Sequence, residues 1–440
     1  MHLTEFFRRM KVAVIGLGYV GVPVAAAFAD AGNRVVGIDI APRKVEILNK
    51  GKSPLEGRER DLEELIRRAV SRKRLRASMD YGECGRSRAV ILAVETPIND
   101  RTKDPDYRPL RSALTSLGGN LSPGTLVVIE STLAPGTMSK IVKPILQRRS
   151  GLKVGKNLFL AHAPERLTAG KLLHNLYNLD RVIGAEEPES TRRALRLYSM
   201  ISRGKLHPTN WITSEITKVV ENTYWDTQIG FANEIAIMCE DFGADVYKVR
   251  ELVNTCPFRN MLIPGAGVGG PCIPKDPWLL LSSSSQKGLS IVTSAREINE
   301  FMPERTAQLA EEAMREAGRR IKGAKVAVLG FAYREEAGET RNTPSIQVIR
   351  ELRKRGADVV IHDPYAPSQR GYHVMRDLNK AVRGVDALVI VTGHRVYRKM
   401  DLGKIGRKMR TKVIVDGRNV FPEGPGKRSF VYRGLGKGTL

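Results

Sequence analysis

One of the four cysteines, Cys272, stands in a setting unlike the other three. It follows Gly265-Ala266-Gly267-Val268-Gly269-Gly270-Pro271 and precedes Ile273-Pro274-Lys275-Asp276. Glycines packed this densely bring backbone close to something, and a thiol presented there reads as a nucleophile. A neighbouring ammonium such as that of Lys275 favours the thiolate, the attacking form. Cys84, Cys239 and Cys256 read as small buried hydrophobes. Lys218 and Asn222, spaced i, i+4, share one face of a predicted helix. Two donors so placed can stabilise an oxyanion, with a solvent-facing pair as the alternative. No Cys-x-x-Cys pair and no His-Glu-x-x-His occurs, so no zinc centre or redox dithiol is expected and no metal is assigned.

A second constellation lies near the start. Lys11-Val12-Ala13-Val14-Ile15 runs into Gly16-Leu17-Gly18-Tyr19-Val20-Gly21, and 24–30 continues as an Ala-rich helical pattern. Gly32 closes that helix, 34–39 reads as a strand, and Asp39 stands at its end. A βαβ unit carrying Gly-x-Gly-x-x-Gly with an acid about 20 residues on is a dinucleotide fingerprint. The glycines let backbone approach a pyrophosphate at a helix N-terminus, where unpaired N–H groups favour anions. Asp39 can accept from the adenosine ribose hydroxyls, which favours NAD over NADP because a 2′-phosphate would meet a carboxylate. Arg43, close by, works in the other direction. The expected cofactor is NAD, held by Gly16, Gly18, Tyr19, Val20, Gly21, Asp39 and Arg43.

These groups need a frame. Strand-like runs recur at 89–94, 126–129, 158–161 and 181–184, with helical patterns between several of them. Two of the runs end in Glu95-Thr96-Pro97 and Glu130-Ser131-Thr132. Ligands in doubly wound sheets bind at the carboxyl ends of strands, so Thr96 and Thr132 are candidates, with a plain turn or helix cap as the alternative. From 214 to 241 the pattern is helical and free of proline, which predicts a long helix between domains and a dimer contact. A second α/β unit starts near 320, with strands at 324–330, 358–363, 386–391 and 413–416 and a helix at 345–356. It lacks the full glycine fingerprint and should bind a nucleotide less like a dinucleotide, or none. The fold class is therefore α/β, two Rossmann-like doubly wound domains joined by a long central helix. The expected boundaries are 1–205, 206–305 and 306–440, with 434–440 frayed.

Bulk properties agree with such a chain. At 440 residues it exceeds what one hydrophobic core usually holds. No run nears the ~18–20 apolar residues of a membrane span. The first residues carry Glu5, Arg8 and Arg9 in place of a signal peptide's apolar core. A cytoplasmic protein with no membrane partner is expected. The net charge, 72 − 47 = +25, suits anionic partners such as nucleotides, nucleic acid or an acidic membrane surface. The densest basic segment, 58–76, reads as an amphipathic helix with Leu62, Leu65, Ile66 and Val70 inward and its arginines as a solvated face. No aromatic platform or nucleic-acid motif accompanies it, so a nucleic-acid partner is not expected.

The ordered motifs resemble the UDP-glucose/GDP-mannose dehydrogenases over nearly the whole chain, from Val12 to about Phe421. They are Gly16-Leu-Gly-Tyr-Val-Gly21, Thr96-Pro97, Ser131-Thr132 with Pro135-Gly136-Thr137, Pro164-Glu165-Arg166, Lys218 with Glu221-Asn222-Thr223, Gly269-Gly270-Pro271-Cys272 with Pro274-Lys275-Asp276, and Arg341 with Thr343-Pro344. The resemblance implies a four-electron oxidation of the C6 alcohol of a UDP-sugar to a carboxylate, with two NAD per sugar. By the same resemblance Cys272 attacks the intermediate aldehyde, and the resulting thiohemiacetal is oxidised to a thioester that water hydrolyses.

The resemblance also assigns roles. Lys218 and Asn222 hold the oxyanion at C6, and Lys218 joins Lys275 in lowering the thiol pKa. Asp276 assists proton transfer, or holds the water or Lys218. Glu165 serves thioester hydrolysis as general base or water positioner, and Thr132 holds the active-site water and touches cofactor, as Thr96 does. Glu165, Arg166, Lys218, Asn222, Arg259, Asn260, Gly269, Tyr333, Arg334 and Arg341 are implied substrate-binding residues. Arg259 and Asn260 often reach substrate across a dimer, so a homodimer or higher homo-oligomer is implied. Arg334 and Arg341 meet the nucleotide diphosphate, for which forked guanidinium donors are suited. The family has Lys where Arg334 stands. The active site is expected between the two α/β domains.

Departures select a branch. The UDP-glucose branch has a second glutamate where this chain has Ala169. The runs Pro164-Glu-Arg-Leu-Thr-Ala-Gly170, Pro264-Gly-Ala-Gly-Val-Gly-Gly270 and Asp276-Pro-Trp-Leu-Leu280 look like the branch acting on N-acetylated hexosamines. Pro271, where that branch often has His, and Lys275 point the other way. The expected substrate is a UDP-N-acetylhexosamine, with UDP-N-acetyl-D-mannosamine preferred and the uronate feeding polysaccharide biosynthesis. UDP-N-acetyl-D-glucosamine and UDP-glucose are the alternatives. A non-catalytic nucleotide- or nucleic-acid-binding protein is the reading from another class.

Overall fold

The computed structural model describes residues 10–55, 59–168, 170–286, 289–424 and 430–438. The chain forms two compact units, Met1–Glu221 with Trp278–Ser285 and Asn222–Pro277 with Gln286–Leu440. The 32-residue helix Trp211–Phe242 contributes its first turns to the one and the rest to the other. It begins where the Asn210 side chain accepts from the Thr213 amide at 2.8 Å, an N-cap bond.

The first unit is built on strands β1 (Lys11–Ile15), β2 (Arg34–Ile38), β3 (Leu75–Ser78), β4 (Ala89–Leu92), β5 (Thr125–Ile129), β6 (Leu158–His162), β7 (Arg181–Gly184) and β8 (Leu206–Thr209). Their order in the sheet is β3-β2-β1-β4-β5-β6-β7-β8. Every pairing is parallel except β6 with β7. Helices cover both faces, so central strands such as β4, Ala-Val-Ile-Leu, are buried throughout and read as continuous apolar runs. The order reverses between β1 and β4, and the loops after those two strands carry the Gly16–Gly21 turn and Thr96.

The second unit repeats the plan with β9 (Lys325–Leu329), β10 (Asp358–His362), β11 (Val374–Met375), β12 (Ala387–Ile390), β13 (Val413–Asp416) and β14 (Val431–Gly434), all parallel in the order β11-β10-β9-β12-β13-β14. The helix Ile291–Glu316 packs on it with Pro303 buried in its interior.

Three local expectations fail, the simplest being Cys256, expected to be buried and found exposed on the surface after the helix Val246–Val253. The helix expected over 58–76 spans only Arg60–Ser71. Lys73 takes a left-handed φ of 54°, the Arg74 amide bonds back to Ala69, and Leu75–Ser78 leaves as β3. Leu62, Leu65 and Ile66 are buried and Arg67, Arg68 and Arg72 exposed, as a solvated basic face requires. The tail is not frayed over 434–438. Gly434 ends β14, Leu435 is buried, and the Gly436 amide donates to Glu240 at 2.7 Å. Residues 1–9, Arg58, Ala169, Thr439 and Leu440 lie outside the described residues.

Candidate active site

In the first unit the three fingerprint glycines have three different reasons to be glycine. Gly16 has a φ of 93°, and a Cβ there would lie 2.5 Å from the Ala93 carbonyl oxygen. A Cβ on Gly21 would lie 1.8 Å from the Gly16 carbonyl oxygen. A Cβ on Gly18 would meet nothing within 4 Å. Chain packing thus forces two of the three, and the third keeps open ground beside the N-terminus of the helix Gly21–Asp30, as a pyrophosphate needs. Asp39 follows β2 with its carboxylate fixed by the Leu17 amide at 2.8 Å and the Ala41 amide at 2.9 Å. The nearest cation is Lys44 at 3.5 Å, while Arg43 is exposed. The set fits NAD: an open turn, a helix N-terminus and an acid for ribose hydroxyls.

Thr96 and Thr132 come together. The Thr96 hydroxyl donates to the Thr132 carbonyl at 2.6 Å, and the Ser131 hydroxyl donates to the Val94 carbonyl at 2.7 Å. His162, at the end of β6, fixes the peptide before Thr132. Its Nε2 lies 3.2 Å from the Ser131 carbonyl and its Nδ1 2.8 Å from the Ser214 hydroxyl. A carbonyl only accepts, so Nε2 carries the proton and Nδ1 accepts. Burial, aided by the Lys218 charge and opposed by the Ser131 bond, pushes the His162 pKa down to about 4, and the ring is neutral at physiological pH.

The long helix delivers Lys218 to the same region. Its ammonium donates to the Glu165 carbonyl at 2.6 Å. One turn earlier Glu215 accepts from the Met138 amide at 2.6 Å and the Gly136 amide at 2.7 Å, tying the Pro135-Gly136-Thr137 turn to the helix. Burial raises the Glu215 carboxyl to about 7 against the pull of those amides. Glu165 is buried and one carboxylate oxygen accepts from the Leu167 amide. Arg166 forks onto the Glu221 carboxylate and donates to the Asp180 carbonyl at 2.7 Å.

In the second unit Asn222, Asp276 and Lys275 form one cluster. Asn222 donates to Asp276 Oδ2 at 2.5 Å, and the Lys275 ammonium lies 2.9 Å from Oδ1. Asp276 is fully buried. Cys272 is half-buried, and its carbonyl closes a turn by accepting the Lys275 and Asp276 amides at 3.0 and 2.9 Å. The glycines before it are tight against their own unit. A Cβ on Gly269 would lie 2.4 Å from Tyr333 Cβ, and Gly270, with a φ of 96°, packs on the Tyr333 ring. Tyr333 donates to Glu339 at 3.0 Å, and Arg341 bonds to the same carboxylate. Arg334 is half-buried, whereas Arg259 and Asn260 are exposed. Sequence reasoning missed His162, Glu215 and Glu339, whose isolated positions carry no motif signal, and gave Glu221 no role although it stands in the Glu221-Asn222-Thr223 motif.

Residues 10–202 match the NAD binding domain, residues 212–301 the central domain and residues 327–423 the UDP binding domain of the UDP-glucose/GDP-mannose dehydrogenase family. The chain is 37% identical over 431 residues to the UDP-N-acetyl-D-mannosamine dehydrogenase of Pyrococcus horikoshii, covering 98% of this chain and 100% of the relative. It is similar to a solved structure of a UDP-D-ManNAc dehydrogenase from Pyrococcus horikoshii, with a TM-score of 0.92, 36% identity and coverage of 98% and 100% of the two chains. It is also similar to a UDP-glucose dehydrogenase structure from Pyrobaculum islandicum, with a TM-score of 0.85, 30% identity and coverage of 97% and 98%. Among the described residues no helix is long and apolar enough to cross a membrane.

Proposed function

The chain belongs to the UDP-glucose/GDP-mannose dehydrogenase family of NAD-dependent oxidoreductases, and on that premise we propose that it oxidises the C6 alcohol of a UDP-N-acetylhexosamine to the carboxylate, with UDP-N-acetyl-D-mannosamine the preferred substrate. The observation that carries this reading is the half-buried Cys272 on a turn whose Asp276 accepts from Asn222 of the long helix and pairs with Lys275. A turn so braced serves a nucleophile better than it serves a plain connection.

NAD, when bound to the first unit, supplies the hydride acceptor for both oxidations. The protein does the rest. The C6 alcohol loses its hydroxyl proton to water and its hydride to that acceptor, leaving the aldehyde, and Lys218 and Asn222 donate to the C6 oxygen as it takes up negative charge. The Cys272 sulfur forms a bond to the aldehyde carbon, and its proton goes to the carbonyl oxygen, giving a thiohemiacetal. Loss of hydride and proton from that adduct leaves a thioester. Water, positioned by Thr132 and activated by Glu165, adds to the acyl carbon, the C–S bond breaks, and the thiol is restored with the carboxylate as product. Asp276, buried and engaged at both oxygens, acts by holding Asn222 and Lys275 in place. Arg334, Arg341, Tyr333 and Gly269 serve the nucleotide end, with Arg166, Arg259 and Asn260 beside the sugar. We carry the three segments 1–205, 206–305 and 306–440 and a cytoplasmic homodimer in the same proposal.

NADH formation, counted per mole of sugar consumed, tests it. Two NADH per UDP-N-acetylmannosamine, with slower turnover of UDP-N-acetylglucosamine and UDP-glucose, is expected. Cys272→Ser should stall before the carboxylate, and full carboxylate formation by that variant would refute the covalent route. A UDP-glucose preference would move the chain to the other branch.

A further inference from the structure

The long helix carries a second asparagine that the mechanism does not use. Asn222 and Asn233 are eleven residues apart, which is ~3 turns and ~16 Å along one face of a helix. Asn233 Oδ1 accepts the Gly265 amide at 2.9 Å. Gly265 opens the glycine-rich stretch that ends at Cys272, and Asn222 holds its far end through Asp276. The same helix face therefore grips the nucleophile's loop at both ends.

Asn233 is itself held. Its Nδ2 donates to Asn299 Oδ1 at 2.8 Å. Asn299 Nδ2 donates to the carbonyl and to Oδ1 of Asp226, both at 2.9 Å. Arg296 donates to the same Oδ1 at 2.7 Å. Asn233, Asn299, Asp226 and Arg296 are each no more than 2% exposed. The chain of bonds has one polarity. At one end the Gly265 amide can only donate, so Asn233 must turn its oxygen there and its NH2 to Asn299. At the other end the Asp226 carbonyl accepts, so Asn299 must turn its NH2 there. Neither amide can flip without facing like against like, and a buried unmatched amide is costly.

We propose that Asn233 and Asn299 are positioning residues for the Cys272 nucleophile, an amide relay that sets the loop's geometry from the Asp226–Arg296 ion pair. The proposal rests on the reading of Cys272 as nucleophile. It makes a step-specific claim, because the thiol enters only after the first hydride has left.

Single-turnover NADH formation with UDP-N-acetylmannosamine should be biphasic in the native enzyme. Asn233→Ala should keep the first phase and slow the second about 10- to 100-fold, the scale of a misplacement near 1 Å. Asn299→Ala, which removes bonds to Asn233 and Asp226 and not to the loop, should show the same pattern more weakly, and it decides the matter if Asn233→Ala does not fold. Iodoacetamide labelling of Cys272, resolved by peptide mapping, reads the loop without turnover. Its rate should change in both variants. Equal slowing of both phases, or a native second phase with native labelling, would overturn the relay. If Cys272→Ser makes two NADH per sugar, the covalent reading fails instead, and the labelling rates still decide whether the relay sets the loop.

Discussion

Gly18→Ala should separate the fold from the cofactor. The added methyl meets no atom within 4 Å in the protein alone, and Gly18 is not among the left-handed glycines. Alanine fits the native backbone there, so the unfolded chain loses more freedom than the folded one. The variant should gain ~0.4–1 kcal/mol of stability. NAD should respond in the opposite direction. The methyl stands on the open ground where the pyrophosphate approaches backbone amides, and one charge-assisted bond lost is ~1.5–3 kcal/mol. That converts to ~10- to 150-fold weaker binding. Gly21→Ala is the contrast, since its methyl would sit 1.8 Å from the Gly16 carbonyl oxygen and the turn must deform whether or not NAD is present. Calorimetric titration with NAD and thermal melts of both variants form the assay. Native NAD affinity in Gly18→Ala, or a melt as low as that of Gly21→Ala, would refute the reasoning.

Two further predictions concern pH. His162 titrates at about 4 in the folded protein against 6.5 as a free side chain, so below 6.5 the unfolded chain binds a proton that the folded one refuses. Stability is whole above pH 6.5 and falls by ~3 kcal/mol as pH drops toward 4, a loss that urea titrations should find missing in His162→Gln. Glu215 runs the other way. Its carboxyl is raised from 4.5 to about 7, so its contribution is full at pH 4.5 and lost as pH rises through 7. Relative to Glu215→Gln, the native protein should lose ~3 kcal/mol across that window, and a constant difference between the two would count against the buried carboxyl.

What the sequence made legible follows from how local the signal is. Gly16, Gly18, Gly21 and Asp39 lie within one βαβ unit, and their spacing alone predicts the turn and acid that the structure contains. The long helix was legible because 28 residues pass without a proline. Strand β3 was not, since Leu75-Arg-Ala-Ser78 continues a basic run and only the reversal at Lys73 ends the helix. The helix Ile291–Glu316 was hidden in part by Pro303, which would break an exposed helix and here is buried. Within the candidate site, Lys218, Asn222 and Asp276 announce themselves by motif, while Asn233 and Asn299, 66 residues apart, meet only through tertiary contact. Partners of that kind leave no spacing to read.

The two Rossmann-like units differ at the acid a dinucleotide site would use, even though the second repeats the plan of the first. The turn glycine is kept in both, with the Gly16 amide donating to Ile38 and the Gly330 amide to His362, each at 2.8 Å. The acid after the second strand is kept as well, as Asp39 and Asp363. Asp39 spends its carboxylate on the Leu17 and Ala41 amides and remains slightly exposed, with lone pairs to spare for ribose hydroxyls. Asp363 is fully buried and accepts from Phe331, Ala332, Tyr365 and Ala366 amides and from His394 Nε2. Burial alone would raise its pKa, but those donors win and hold the carboxyl at about 2. A carboxylate offers roughly four lone-pair sites, so five donors leave none for a ligand. In the second unit the acid at the ribose position is an internal staple. Tyr333, Arg334 and Arg341, on the loop after β9 and outside the fingerprint, are the residues we propose read its ligand.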